Sequence, residues 1–455
     1  MNKLLTNKSL YAFFVILFSF MTILRIKGVL TTDPKVDLYD SPSYFEFRLT
    51  GGVRMPLITL IYSTLKDFKL ITIFQVLMSI TSITFFTLTF VKFIQKAALK
   101  YIFILLMFLF AISTNLVSLD YLIMAESLNI SSIFLLITCV FRLLQNNYKY
   151  IDVFFTTLSI IIFAGIKSIN GILSIFCLSI LLIKIIQVQL KLDKNWKKIF
   201  QSVNIYFILF SLLAATYVTT NVEATPILNT SAITNSRLWE NKNWRNYALN
   251  QGFPLEARTV FLKYSNNNLG LPPDEAVSKL PSFQNWYYSK GKNFLINLMI
   301  AKPDYTFLAP FLMFFYTENK NLEGTLFFGY SQGLKNYFGF RNLQILNFNS
   351  YDIFWPNQRS SKYVILGILF LFISIPQILF SKKNIKENFF FFKFVNTILF
   401  FALLLSYLSW WFGSTPNELP RHQFPVSVIL YILGIMNFIQ ILNIIINEIT
   451  LKHKV

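Results

Sequence analysis

The sequence predicts an all-α polytopic membrane protein with about ten transmembrane helices and a large outer loop region. Three observations predict it. Of 455 residues, 55% are hydrophobic and only 14% are charged, where a soluble domain carries about a quarter charged residues. Apolar runs long enough to cross a bilayer fall near 9–26, 70–91, 101–117, 119–141, 151–166, 169–187, 199–219, 362–380, 389–411 and 424–447. Lys and Arg collect in alternate connections between these runs, as the positive-inside bias requires. The net charge of +20 would suggest a nucleic-acid partner in a soluble protein. Here the cations sit at the ends of apolar runs, so the partner they imply is a membrane surface and not a nucleic acid.

The first run, 9–26, follows Lys3 and Lys8 in the manner of a secretory signal, but no small-x-small cleavage site follows it. It reads as a retained signal anchor with its N-terminus in the cytoplasm. The connections near 92–100, 142–149, 184–198, 382–393 and 452–454 hold most of the remaining cations of short loops. The short connections on the other side hold only Lys167 and Arg421. The loop 27–69 adds six more there without reversing the bias. Both termini are then cytoplasmic. The chain divides into an N-terminal transmembrane module (1–219), an outer loop region (220–361) and a C-terminal transmembrane module (362–455).

The loop 27–69 carries Tyr39-Asp40-Ser41-Pro42-Ser43-Tyr44-Phe45, then Gly51-Gly52-Val53-Arg54-Met55-Pro56. Ser41 can cap a short helix with Pro42 at its first position, where the missing N–H costs nothing. Gly51 and Gly52 can stop that helix and Pro56 can start another. Asp40 then stands just before a helix start at the membrane edge, either as a turn residue or as a reactive acid. Asp120 opens the fourth run, where it can cap its helix. Glu126 lies about two turns further in, roughly 9 Å along the axis at 1.5 Å per residue. A carboxylate at that depth needs a polar partner. Lys167, between the fifth and sixth runs, can snorkel to the interface or face a site. Arg421 sits in the polar, turn-rich Pro420-Arg421-His422-Gln423-Phe424-Pro425, ahead of the tenth run. The predicted topology gathers all of these on the outer side. Acids and bases from four separate loops converging on one face suggest a site.

The outer region 220–361 contains Trp239, Trp244, Trp286, Tyr287 and Tyr288. Within it, Tyr305 to Tyr316 is apolar but too short to span, which suits an interfacial or re-entrant helix. Segment 282–301 mixes apolar and basic residues and reads as a helix lying on the membrane. Cys139 and Cys177 lie inside apolar runs, where they pack as small hydrophobes and define no disulfide framework or metal site.

This layout resembles the GT-C superfamily of membrane glycosyltransferases, especially the branch of bacterial aminoarabinose transferases and protein O-mannosyltransferases. The resemblance rests on short motifs over residues 1 to about 220 and 360–447. They are the acidic first outer loop Asp40-Ser41-Pro42-Ser43-Tyr44 with Arg54-Met55-Pro56, the Asp120 to Ser127 stretch with its two acids, Ile166-Lys167-Ser168, and Arg421 with Pro425. The resemblance implies a GT-C-like fold in a bacterial inner (plasma) membrane. It implies transfer of a sugar from a polyprenyl-phosphate-linked donor to a hydroxyl of a lipid, glycan or protein acceptor at the periplasmic face. Asp40 is then the catalytic base, with Asp120 and Glu126 as supporting acids. Lys167, Arg421 and Arg54 would bind the lipid phosphate. Asp40-Ser41 stands where some members have an Asp-Glu pair, so no cofactor is assigned and a divalent metal is left open. Two other classes compete. A polymerase or ligase of lipid-linked surface polysaccharide would share the span count and outer Arg residues, but the early acidic loop favours the first reading. A transporter or flippase would show midplane charges and an internal repeat, and neither is evident.

Overall fold

The computed structural model describes residues 2–36, 41–48, 54–112, 114–146, 148–193, 203–220, 224–267, 273–309 and the positions 428, 429, 432, 434–439, 442 and 446. Among the described residues the chain is all-helical, and its one sheet-like pairing is an isolated parallel bridge between Lys35 and Leu122. Four helices among the described residues are long and apolar enough to cross a membrane: Lys8–Thr31, Phe68–Val91, Glu126–Gln145 and Asn170–Gln187. This is compatible with a membrane protein.

In chain order the helices are α1 (Asn2–Thr31), α2 (Pro56–Leu65), α3 (Phe68–Val91), α4 (Ala97–Ala111), α5 (Thr114–Asp120), α6 (Glu126–Gln145), α7 (Tyr150–Ala164), α8 (Ser168–Asp193) and α9 (Val203–Thr220). Local chemistry sets several of their ends. Pro56 opens α2 at the position where an N–H would be unpaired anyway. Asp67 caps α3 by accepting the Leu70 N–H at 2.9 Å. Inside the apolar helices, hydroxyls are satisfied by the preceding turn, as where Thr87 donates to the Ile83 carbonyl at 2.8 Å. α6 packs between α3 and α7, and α8 between α7 and α9. Phe86, Phe90, Phe103, Phe134 and Phe141 interlock at the centre, with ring centroids 4.6 Å apart for Phe90–Phe103 and 5.1 Å for Phe86–Phe134.

Two boundaries differ from the sequence reading. The expected third run, 101–117, divides into α4 and the short α5. The expected fourth run, 119–141, becomes a helix only at Glu126. Asp120 therefore ends a short helix instead of opening a long one, and Glu126 sits in the first turn of α6, not two turns in. The reason is that residues 121–125 take their partners from elsewhere. The Lys35 N–H donates to the Tyr121 carbonyl at 2.8 Å, and the Ile123 N–H donates to the Lys35 carbonyl at 3.0 Å. Of the last three expected runs, those at 362–380 and 389–411 lie outside the described residues. In the tenth, the described positions are helical, and Val428, Ile429, Ile432, Met436 and Ile439 pack into the main core.

Helices within 224–267 and 273–309 surround a second core that includes Ile233, Leu238, Phe253, Val277, Phe283, Trp286, Phe294, Leu298 and Tyr305. Segment 282–301 is not one helix. A helix at Pro281–Ser289, a 3-10 turn at Gly291–Asn293 and a helix at Phe294–Ala301 follow one another, with the Trp286 and Phe294 rings 5.3 Å apart across the turn. Gly291 permits this, because a Cβ there would lie 3.0 Å from the rings of Trp286 and Tyr287. Of Tyr305 to Tyr316, the described part is a π-helical turn, Asp304–Leu308, with Tyr305 fully buried.

Candidate functional site

One end of the helical bundle carries a small core of its own, built from three separate connections. Tyr44, Met55, Ile58 and Tyr62 come from the loop between α1 and α3. Leu122, Ile123, Met124 and Ala125 come from the segment before α6, and Ile166 comes from the α7–α8 corner. Polar contacts stitch these connections together. Ser41 begins a 3-10 turn, Ser41–Tyr44, and donates its hydroxyl to the Ile123 carbonyl at 3.0 Å. The sequence reading had that hydroxyl capping its own helix; the carbonyl left open by the break at 121–125 takes it instead. Gly51 and Gly52 lie outside the described residues. Tyr62 donates to the Met124 carbonyl at 2.7 Å, and Gln75 of α3 donates to both the Tyr62 oxygen and the Met124 carbonyl. Burial, with the nearby Tyr44 and Glu126, pushes the Tyr62 phenol well above its ordinary range, against the hydrogen bond from Gln75. It therefore stays a neutral donor. At the corner, the Ile58 N–H donates to the Gly165 carbonyl at 3.3 Å, and a Cβ on Gly165 would lie 2.5 Å from the Leu57 Cβ. Only glycine allows α2 to approach this closely.

The ion pair of the site joins α6 to the start of α8. Lys167 Nζ lies 3.1 Å from Glu126 Oε1, with Glu126 3% exposed and Lys167 17% exposed. The Lys167 carbonyl accepts the Asn170 N–H at 3.0 Å, so Lys167 stands at the head of α8, where the helix dipole adds to its positive charge. One helical step further in, Asn170 Nδ2 donates to Asn129 Oδ1 at 2.7 Å. Glu126 with Asn129, and Lys167 with Asn170, each have the i,i+3 spacing that stacks side chains on one helix face. The pair thus continues as a second polar rung between α6 and α8. Chemically, a buried carboxylate holds a partly exposed ammonium at one end of the bundle, where that ammonium can meet an anionic group.

Arg54 belongs to the same small unit. Its Nε donates to Ser43 Oγ at 2.8 Å, and its guanidinium lies over the Tyr44 ring, 4.6 Å from the centroid. Asp120 faces elsewhere. It is fully buried, Arg25 of α1 donates to its Oδ2, and Ser127 donates to its Oδ1 at 2.6 Å. Arg25, 1% exposed, also donates to Ser79 of α3 at 2.9 Å. Asp40 and Arg421 lie outside the described residues. Among the described residues, no group of three or more His, Cys, Asp or Glu side chains could hold a metal ion.

The structure therefore brings Glu126 and Lys167 into contact, places Arg54 on the loop packed against the Glu126 segment, and closes Asp120 on Arg25. Sequence reasoning missed Arg25, which lies inside the first run, 9–26, and was not singled out there. A guanidinium inside an otherwise apolar run was the available signal. Comparison of the chain with family models, with curated proteins and with solved structures returns no match.

Proposed function

We propose that the protein is an integral-membrane glycosyltransferase of the bacterial inner membrane, moving a sugar from a polyprenyl-phosphate-linked donor to an acceptor hydroxyl at the periplasmic face. Both termini are then cytoplasmic, and the chain takes the ten-helix GT-C-like arrangement that the motifs imply. The observation that carries the reading is the Glu126–Lys167 pair at 3.1 Å. It sits where the acidic first loop, the segment before α6 and the α7–α8 corner share one core. In this reading Asp40 removes the proton of the acceptor hydroxyl as its oxygen attacks the anomeric carbon. The bond from that carbon to the donor phosphate breaks, and the phosphate leaves on the polyprenyl chain. Lys167, Arg421 and Arg54 stabilise the charge that grows on the leaving oxygen. Glu126 holds Lys167 in place between turnovers.

The test is release of polyprenyl phosphate by the purified protein in lipid nanodiscs supplied with sugar-loaded polyprenyl phosphate and candidate acceptors. Acceptor-dependent release that falls at least tenfold in Lys167→Ala, as expected for removing one donor to the leaving group, supports the reading. Release unaffected by Lys167→Ala, at equal protein, contradicts it.

A further inference from the structure

The buried Arg25–Asp120 pair has no place in the transfer chemistry above, yet it is wired to the residue beside Glu126. Both oxygens of Asp120 carry a hydrogen bond. One goes to Arg25, which Ser79 of α3 also holds, and the other goes to Ser127 at 2.6 Å. Ser127 directly follows Glu126 in the first turn of α6. The five residues between Asp120 and Glu126 are anchored by backbone exchange with Lys35 and by side chains on the carbonyls of Ile123 and Met124. The start of α6 is therefore fixed from α1, through Arg25, and from α3, through Ser79 and Gln75. A free helix end frays, because its first N–H groups have no intrahelical partners. Here the α6 end bears the carboxylate that must meet Lys167 of another helix.

We propose that Arg25 and Asp120 are positioning residues, which hold the first turn of α6 through Ser127 so that Glu126 is seated on Lys167. Asp120 is on this account neither an acid of the reaction nor a ligand of the donor. A retained ion pair in so apolar a setting is a poor device for stability alone, since apolar residues of like volume serve as well or better. It is a good device for fixing one helix end in one register. The proposal rests on the glycosyltransferase reading only for what the seated pair is used for.

The test reads the seating itself and needs no sugar transfer. A membrane-permeant carbodiimide activates a carboxylate, and an amine in direct contact displaces the urea to form an amide. Mass spectrometry of the digested full chain quantifies the Glu126–Lys167 amide. The internal standard is the Glu275–Lys279 amide, from a solvent-exposed pair 2.7 Å apart in the 224–309 region. Ser127→Ala keeps the Arg25–Asp120 pair and removes only its link to α6. It should lower the ratio of the two amides about tenfold or more, the weight of one hydrogen bond to a charged group. Ser127→Thr keeps the hydroxyl and should restore the ratio. Asp120→Asn, which weakens both links, should lower the ratio at least as far. A Ser127→Ala ratio within about twofold of the parent protein, below the effect of one such bond, overturns the proposal. So does a parent protein that forms the standard amide but no Glu126–Lys167 amide. Either result leaves the transfer assay free to succeed or fail by itself.

Discussion

Lys167 Nζ stands 3.1 Å from Glu126 Oε1, tying the head of α8 to the first turn of α6. With Glu126 almost fully buried, truncating Lys167 leaves a carboxylate without its cation. Lys167→Met should therefore lower stability by about 3–5 kcal/mol, and Lys167→Met with Glu126→Gln should recover most of that loss. Thermal unfolding in nanodiscs measures both. A single variant as stable as the parent would mean that the pair is not formed in the folded protein.

The close approach of α2 to the α7–α8 corner predicts a strict demand for glycine at position 165. Gly165→Ala places a Cβ 2.5 Å from the Leu57 Cβ, so the two helices must separate. The expected destabilisation is about 1–3 kcal/mol. Leu57→Ala should not rescue it, since alanine keeps the Cβ that clashes. Full stability of Gly165→Ala would show that α2 sits further from the corner.

The unit at 224–309 should lose stability in alkali through one phenol. Burial pushes Tyr305 up to about 12 from 10.0, against the opposing charge of Arg237. The folded state thus holds the proton more tightly than the unfolded chain. This contribution is complete below pH 10 and is lost as pH rises toward 12, at about 1.4 kcal/mol per pH unit. Trp244 reports it, because its ring lies 4.9 Å from that of Tyr305. In Tyr305→Phe the alkaline unfolding followed by Trp fluorescence should shift to higher pH. An identical alkaline profile in both proteins would count against the assignment.

The Lys and Arg bias predicts that reporter fusions after Val188 and after Thr325 lie on opposite sides of the membrane, the first cytoplasmic. The same location for both would overturn the orientation on which the outer-face site depends.

Much of this arrangement was legible in the sequence. Ionisable residues are few in so apolar a chain, so Glu126 and Lys167 stood out and their meeting could be expected. Pro56 marked the start of α2 because proline's effect is local. The break before α6 was not legible. Tyr121-Leu122-Ile123-Met124-Ala125 is apolar throughout and reads as helix. What unwinds it is distant in sequence: the backbone of Lys35 and the side chains of Ser41, Tyr62 and Gln75, which take its N–H and carbonyl groups. Arg25 was hidden for a similar reason. Its partner Asp120 lies 95 residues away, and only the folded bundle brings the two together. The turn at Gly291 packs against the rings of Trp286 and Tyr287, and a hydrophobic pattern alone does not specify that.

The most direct measurement of the central claim is incorporation of labelled sugar from a polyprenyl-phosphate donor pool in membranes, normalised to protein level, for Asp40→Asn and Lys167→Ala. Asn keeps the size and turn-forming capacity of Asp but cannot accept the acceptor's proton. Asp40→Asn should therefore abolish transfer while donor binding persists. Lys167→Ala should weaken donor binding and slow turnover together, at about 2–4 kcal/mol of transition-state stabilisation. Parent-like incorporation by Asp40→Asn would contradict the account, because it would remove the base from the reaction and the acidic first loop from the site.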